Sequence, residues 1–416
     1  MKIPHLRWVI AFLLFLATAV NYMDRQALSI VSKTIRGEFG MTEQDYSYIV
    51  AAFFLAYAIM YAGSGYLVDR LGTKNGFGLF IAFWSVAAML HAFARGTFSF
   101  GVCRFLLGLG EPGNWPAAAK AISEWFPAKQ RALGVGIFNA GSSLGSALSP
   151  PVVSWLTYRY GWQFAFIAVG ATGLAWLAVW MFVYNPPAIN RWLSEREYAG
   201  FRAQIVPVPE QTQKVDWWKV VSSRDCVALT LARTFTDPVI YFVIFWLPEY
   251  LQKERHFDLA MVGKYSWVPF IFGGIGYMLG GYLSGWLMQR GVSMPKARKR
   301  IMLIGAMCLP VAIAAPFVPT AALAIGATCF ITFGHGFWVA NLQTLPTDLF
   351  PGHEVGTVSG FSGMGGALGG MVTNLGTGYV VSHFSYAPIF LLAGIMHPLS
   401  MIIVAKMLPD SRFKNA

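Results

Sequence analysis

The stretch Gly65-Tyr66-Leu67-Val68-Asp69-Arg70-Leu71-Gly72-Thr73-Lys74 (residues 65–74) links two long apolar blocks, residues 46–68 and 76–94. As an α-helix rising about 1.5 Å per residue, each block is long enough to cross about 30 Å of hydrocarbon. The short charged turn between them therefore predicts two membrane helices joined by a tight loop on one side of a bilayer.

The same pattern recurs along the rest of the chain, where ten more apolar blocks are separated by polar turns. They lie at residues 8–31, 98–121, 132–156, 163–184, 226–251, 262–288, 300–318, 320–345, 355–381 and 386–408. We therefore predict an all-α integral membrane protein with twelve transmembrane helices. The least certain boundary falls within 300–345, because only Pro319-Thr320 divides that stretch.

Composition excludes several other classes of protein. Of the 416 residues, 56% are hydrophobic and 12% are charged, whereas soluble domains carry about 25% charged residues. Too few charges remain to cover a water-exposed surface, which excludes an ordinary soluble enzyme, a disordered chain and a coiled coil. The net charge of +12 would indicate nucleic-acid binding in a soluble protein. Here we expect a lipid bilayer and no nucleic acid.

The basic residues alternate between the two sides of the predicted membrane. With the N-terminus in the cytoplasm, 21 Lys and Arg fall inside, 7 outside and 3 within spans. By the positive-inside rule, this predicts a multi-pass protein of the inner (plasma) membrane with both termini cytoplasmic. Lys2, Arg7 and Ala17-Thr18-Ala19 also fit a cleaved signal segment. Its removal would leave eleven spans and would disturb the alternation of basic residues between the two sides.

The two halves of the chain resemble each other. At one offset of 224 residues, Phe126, Pro127 and a set of helix positions recur, the set being Gly136, Gly141, Leu144 and Gly145 against Gly360, Gly365, Leu368 and Gly369. Such duplication predicts two pseudo-symmetric six-helix bundles around a site at their interface. The domains are then residues 1–184, a cytoplasmic central loop 185–225, and residues 226–416.

Motifs for soluble catalysis and metal binding are absent from the sequence. It has no Walker phosphate loop, no H-E-x-x-H and no Cys–His metal spacing, and its four cysteines lie in or beside apolar blocks. We therefore expect no enzyme activity, no cofactor and no metal.

Residues 65–74 resemble the G-x-x-x-D-R-x-G-x-K/R signature of the major facilitator superfamily, which implies a gate motif of Gly65, Asp69, Arg70, Gly72 and Lys74. In physical terms, Gly65 would permit close helix approach. Asp69 would latch one gate state by pairing with a basic group or a helix N-terminus of the other half. A plain positive-inside turn is the alternative.

Further motifs resemble the anion:cation symporter family, and within it the hexuronate and related sugar-acid (galactonate- and glucarate-type) transporters. They are Asn21-Tyr22-Met23-Asp24-Arg25, Arg104–Glu111, Ser123–Pro127, Arg233–Pro238 and Phe245–Pro248. The resemblance covers essentially the whole chain and leaves the particular sugar acid open.

Charged residues inside spans are the candidates for function, because each costs about 2.5–3.5 kcal/mol to insert. A carboxylate crossing the midplane needs a cation, and a guanidinium binds it with two parallel hydrogen bonds. The resemblance implies that Arg25 binds substrate, and Tyr22, three residues earlier, can face the same cavity. Arg104 either binds substrate or holds a neighbouring carboxylate.

The resemblance implies that Asp24 and Glu111 are the proton-coupling carboxylates, with a fixed arginine partner as the alternative for Asp24. Arg233 and Asp237 are four residues apart and are interpreted as a structural intrahelical pair. His335 is interpreted as a hydrogen-bonded core histidine.

Sugar hydroxyls need neutral polar partners, and polar side chains inside spans should face a cavity or another helix. The candidates are Tyr57, which matches a ligand tyrosine of the family, and Asn139, Ser142, Ser143, Asn341 and Gln343. Hydrogen bonding between helices is the alternative for each of them.

Together these features predict a monomeric secondary transporter that imports a small sugar-acid anion (hexuronate, aldonate or aldarate) with protons by alternating access. A carrier of another organic anion, such as an aromatic acid or an organic phosphate, is the nearer alternative. A membrane sensor that binds without transport is the more distant one.

Overall fold

The computed structural model describes residues 2–126, 128–202 and 216–413, with the backbone alone for residues 62, 69, 128–133, 200–202, 347 and 352–353. The regular structure of these residues consists of helices. The α-helices are α1 (Leu6–Phe39), α2 (Glu43–Leu90), α3 (Thr97–Gly110), α4 (Asn114–Trp125), α5 (Ala128–Tyr160), α6 (Trp162–Val183), α7 (Glu195–Arg202), α8 (Trp217–Val221), α9 (Arg224–Glu254), α10 (Leu259–Tyr265), α11 (Val268–Gln289), α12 (Met294–Cys308), α13 (Ala321–Leu342), α14 (Leu345–Leu349), α15 (Gly352–His383) and α16 (Ala387–Met407).

The predicted all-α membrane fold is confirmed, and each apolar block corresponds to helix. Most blocks are one helix. The second and third share α2, and the fourth is α3 and α4 joined by the 3-10 turn Glu111–Gly113. The eighth begins in α10 and continues as α11, and the ninth is α12 followed by the 3-10 helix Leu309–Ala314. Within the described residues, six segments are by themselves long and apolar enough to cross a bilayer: Leu6–Phe39, Arg70–Phe93, Trp162–Val183, Arg224–Glu254, Ala321–Leu342 and Ala387–Met407. Among the other spans, α5 and α15 are rich in glycine and hydroxyl side chains, because they pack closely or border the cavity.

Gly72 produces the bend that separates the second span from the third. Its φ of 75° and ψ of 158° lie outside the helical region, in a conformation that glycine adopts without a Cβ clash. After the bend, Gly76 packs so closely that an added Cβ would lie 2.9 Å from the Cα of Val68. The close approach expected at Gly65 is wrong for this conformation, since an added Cβ there would meet Pro116 only at an ordinary 3.9 Å.

The duplicated glycines make equivalent helix contacts in the two halves. In the first half, a Cβ on Gly141 or Gly145 of α5 would collide with the carbonyl oxygen of Phe15 or Ala19 in α1. In the second half, a Cβ on Gly369 of α15 would collide with a backbone carbonyl of α9. The internal repeat therefore has a structural cause: glycine lets the first helix of each half pack against the fifth.

The two halves meet at one end of the bundle. There Ser29 of α1 donates to the carbonyl of Ile244 at 2.9 Å, and Tyr46 of α2 donates to that of Phe245 at 2.7 Å. Asn374 of α15 donates to a backbone carbonyl of α2 at 2.6 Å. We call this the closed end.

At the opposite end, a cavity of about 1930 Å³ separates the halves. Its walls include residues of α2, α4 and α5 on one side and of α9 and α15 on the other. Residues 186–188 and Trp217, which belong to the segment between the halves, border it. Lys2 also lies at this end, bonded to the carbonyls of Arg191 and Leu193. Residues 203–215 of the predicted central loop lie outside the described residues.

Candidate substrate and proton site

A buried ion pair joins α1 to the turn that follows α3. Arg25 donates its Nε to Oε2 of Glu111 at 2.8 Å, and its Nη2 lies 2.6 Å from the same oxygen. Both side chains are almost completely buried, with 1% of Arg25 and none of Glu111 exposed. Glu111 is the first residue of the 3-10 turn Glu111–Gly113 that follows α3.

Aromatic rings enclose the Arg25 guanidinium. Its carbon lies 4.6 Å from the ring centre of Tyr22, 5.4 Å from that of Phe53 and 4.9 Å from that of Tyr57. Arg25 also donates its Nη2 to the hydroxyl of Tyr57 at 3.3 Å and to Oδ1 of Asn21 at 3.4 Å. Tyr22 and Arg25 therefore lie side by side, while the expectation that both face one cavity stays a prediction.

Trp115 is a member of this cluster that the sequence analysis missed. Its indole Nε1 donates to the hydroxyl oxygen of Tyr57 at 3.0 Å, and its ring lies on the cavity wall. Because Arg25 and Trp115 both donate to that oxygen, the O–H of Tyr57 remains available as a donor to another group. The signal was its spacing, since Trp115 follows Glu111 by four residues.

Arg104 contacts backbone and not a carboxylate. Its Nη1 donates to the carbonyl oxygen of Arg25 at 3.0 Å, while its Nε and Nη2 are buried without a hydrogen-bond partner among the described residues. None of its surface is exposed. In this conformation Arg104 therefore links α3 to the backbone of α1.

Asp24 is buried with both carboxylate oxygens lacking a hydrogen-bond partner in the described part of the chain. Only 2% of the residue is exposed. No arginine of the described residues forms an ion pair with Asp24 in this conformation, so the fixed arginine partner considered as its alternative role is not found among them. Oε1 of Glu111 is likewise buried and without a partner among the residues described, and among these residues Glu111 is paired whereas Asp24 is not.

The neutral candidates divide between the cavity wall and the helix contacts. Asn139 and Gln343 line the cavity. Ser142 donates to the carbonyl of Asn139 at 2.7 Å, and Ser143 lies against a glycine of α11. Asn341 is fully buried and donates to two backbone carbonyls, one of α11 and one of its own helix. The structure thus places Asn341 in the alternative role of hydrogen bonding between helices.

The second half contains the predicted Arg233–Asp237 contact and the predicted buried histidine. Arg233 and Asp237 form the intrahelical pair, with Nη2 of Arg233 2.8 Å from Oδ2 of Asp237. His335 is buried, and its Nδ1 lies 3.1 Å from Nε2 of His397, a residue that the sequence analysis did not select.

The gate motif lies at the open end. Lys74 donates to Oδ1 of Asn185 at 3.0 Å, Arg70 is exposed, and Gly65 borders the cavity. The side chain of Asp69 lies outside the described part of the structure, so its predicted latch role stays a prediction.

The described residues contain no cluster of three or more His, Cys, Asp or Glu side chains that could hold a metal ion. The cysteines are free thiols, and Cys103, Cys226 and Cys329 are buried. Arg25, Arg104, Asp24 and Glu111 lie inside a bundle that is open at one end. Buried arginines can bind an anion, and buried carboxyl groups can take up and release a proton.

Comparison with known proteins places these features in a family context. The family model described as Major Facilitator Superfamily matches residues 14–374. The hexuronate transporter of Escherichia coli (strain K12) is 32% identical over 97% of this chain and 94% of its own length. The galacturonate transporter of Dickeya chrysanthemi is 33% identical over 74% of this chain and 90% of its own length.

A solved structure has the same fold. It is the crystal structure of a bacterial homolog to the human lysosomal transporter Spinster in an inward-facing and unoccupied conformation. The TM-score is 0.70 at 18% identity, and the likeness covers 99% of this chain and 96% of that one.

Proposed function

The chain belongs to the major facilitator superfamily, and from that premise we propose that it imports a sugar-acid anion with protons by alternating access. Family membership makes it a multi-pass membrane transporter and not an enzyme. The substrate class, the coupling ion and the mechanism are the subject of the proposal.

The substrate class is supported by the relatives and by the buried arginine. Relatives at about 30% identity are named as transporters of hexuronate, galacturonate, D-galactonate and galactarate or D-glucarate. A guanidinium enclosed by aromatic rings and hydroxyls suits a carboxylate attached to a polyhydroxylated chain. Arg25 would take the substrate carboxylate, and Tyr57 would donate its free O–H to the substrate.

The single observation that supports proton coupling is the ion pair between Arg25 and Glu111. In this conformation Glu111 occupies the guanidinium donors that a substrate carboxylate would need. Protonation of Glu111 would release Arg25 to the substrate, and loss of substrate would restore the ion pair. Asp24 would serve as a second proton site, because an ionised carboxylate without a hydrogen-bond partner is costly in a buried position.

Alternating access is supported by the unequal ends of the bundle. The halves are joined by hydrogen bonds at the closed end and separated by the cavity at the other. With both termini cytoplasmic, as the distribution of basic residues indicates, the cavity opens on the cytoplasmic side of a bacterial-type inner membrane. The protein would function as a monomer, because the cavity is formed within one chain.

Uptake by purified protein in proteoliposomes tests the proposal. Labelled galacturonate should accumulate when the outside is more acidic than the inside, and a protonophore should abolish the accumulation. An inside-negative potential applied alone would report net charge movement, since symport of one proton with a monoanion is electrically silent.

A panel of competitors separates the alternatives. Hexuronates and other sugar acids should inhibit the uptake, whereas aromatic acids and organic phosphates should not. Transport of aromatic acids or phosphates without sugar acids would favour the other organic-anion carrier. Binding of sugar acids with no flux in either direction would favour the sensor.

A further inference from the structure

A second ion pair lies beside the cavity in the C-terminal half, with Arg233 on the cavity wall and Asp237 buried behind it. Arg233 of α9 donates its Nε to Oδ2 of Asp237 at 2.9 Å, and its Nη2 lies 2.8 Å from the same oxygen. Arg233 lines the cavity with 15% of its side chain exposed, compared with 1% for Arg25. In this conformation it is therefore the more accessible of the two arginines.

The pair keeps hydrogen-bonding capacity in reserve. Both contacts of Arg233 use the single oxygen Oδ2, so that Oδ1 of Asp237 and Nη1 of Arg233 make no hydrogen bond to the described residues. One end of the pair can therefore accept a hydrogen bond and the other can donate one.

Glycines of α15 make room for this pair. A Cβ on Gly363 would lie 3.1 Å from Nη1 of Arg233 and 2.7 Å from the ring of Tyr61. A Cβ on Gly366 would collide with Oδ2 of Asp237. Side chains at these two positions would displace the pair, so α15 presents bare backbone to it.

Two tyrosines of α2 connect the pair to Arg25. Tyr57 accepts a hydrogen bond from Arg25. Tyr61, one helical turn further on, lies against Gly363, which Arg233 also approaches. One turn rises about 5.4 Å, and the two rings are 5.4 Å apart. Arg25 thus contacts one tyrosine of this pair, and Arg233 lies beside the other.

From this geometry we propose that the Arg233–Asp237 pair binds the uncharged, hydroxyl-bearing end of the substrate and disfavours a second carboxylate there. A hydroxyl donates to Asp237 and accepts from Arg233, so it satisfies both. A carboxylate in the same place can only accept, and it meets the negative charge of Asp237 while the charge of Arg233 is already neutralised. The transported class is then monocarboxylic sugar acids, hexuronates and aldonates, and not the dicarboxylic aldarates. This inference rests on the proposed function.

Competition against labelled galacturonate tests it in wild type and in Asp237→Asn, which keeps the size of the side chain and removes its charge. In wild type, galactarate should inhibit at least about tenfold more weakly than unlabelled galacturonate, a difference of about 1.4 kcal/mol. In Asp237→Asn that ratio should fall severalfold. The control is Glu254→Gln, which removes an exposed carboxylate on the same helix and should leave the ratio unchanged.

Equal inhibition by galactarate and galacturonate in wild type would overturn the inference, and so would an unchanged ratio in an Asp237→Asn protein that still transports. The wild-type comparison decides by itself if the variant does not reach the membrane. Absence of uptake for every sugar acid would instead contradict the proposed function, so the two failures are distinguishable.

Discussion

Arg25 binds a single carboxylate oxygen of Glu111. Both Nε and Nη2 of the arginine contact Oε2 of the glutamate, at 2.8 Å and 2.6 Å, while Oε1 is buried without a partner among the described residues. The pair is thus held by one half of the carboxylate, which leaves the other half as a place for a proton.

Glu111→Gln tests the coupling role of this carboxylate. The amide cannot take up and release a proton, so we expect proton-driven accumulation to be lost while exchange of preloaded substrate is retained. The measurement is uptake and counterflow in proteoliposomes, with Glu254→Gln as the control. Driven uptake at the wild-type rate would show that Glu111 is not the coupling group.

Arg25→Ala tests the cost of leaving the buried glutamate unpaired. Removing one partner of a buried ion pair destabilises a protein by about 3–5 kcal/mol, so we expect a lower thermal unfolding temperature in detergent and loss of substrate binding. Adding Glu111→Leu should recover most of the stability without restoring transport. No recovery in the double variant would mean that Arg25 stabilises the fold through other contacts.

Glu249→Gln tests the closed end, where α1, α2 and α9 are joined by charged side chains. Arg36 bonds Glu249, which is 1% exposed, and also lies 3.8 Å from Glu43, to which Lys253 donates at 2.7 Å. Loss of the Glu249 charge should weaken these bonds and open this end more often. Ser47 is fully buried there, so a Ser47→Cys probe should react several times faster with a membrane-impermeant thiol reagent.

The same probe in an otherwise wild-type background supplies the reference rate, and Glu254→Gln supplies the matched control. An unchanged labelling rate in Glu249→Gln would mean that hydrogen bonds such as that of Tyr46 keep this end closed without the ion pairs.

Asp45 and Asp348 both lie outside the predicted spans. Their contributions to the stability of the protein should change with pH in opposite directions. Hydrogen bonds from the backbone N–H and the hydroxyl of Thr42 lower the pKa of Asp45, whereas burial raises the pKa of Asp348 despite Arg298. Stability from Asp45 is therefore present above the ordinary value of 3.8 and is lost as the pH falls through its lowered pKa. The contribution of Asp348 is present below 3.8 and is lost as the pH rises through its raised pKa.

Thermal unfolding as a function of pH checks both signs. Asp348→Asn should lose less stability than wild type as the pH rises above 3.8, and Asp45→Asn should be less stable than wild type above that value. Parallel curves for wild type and Asp348→Asn would show that burial does not dominate the titration of Asp348.

The sequence by itself determined the fold class, the repeat and most of the buried charges, with Glu249 as an exception. The length of an apolar block and the spacing of its glycines are local properties of the chain. An arginine or an acid inside such a block can be identified from the sequence without knowledge of its partner. The tertiary structure alone decided which charges meet between helices, since the Arg233–Asp237 pair within α9 followed from its spacing. It paired Arg25 with Glu111, 86 residues away, left Asp24 without a partner among the described residues and joined Trp115 to Tyr57. Such contacts depend on how helices pack and where α3 ends, and no local pattern encodes those distances.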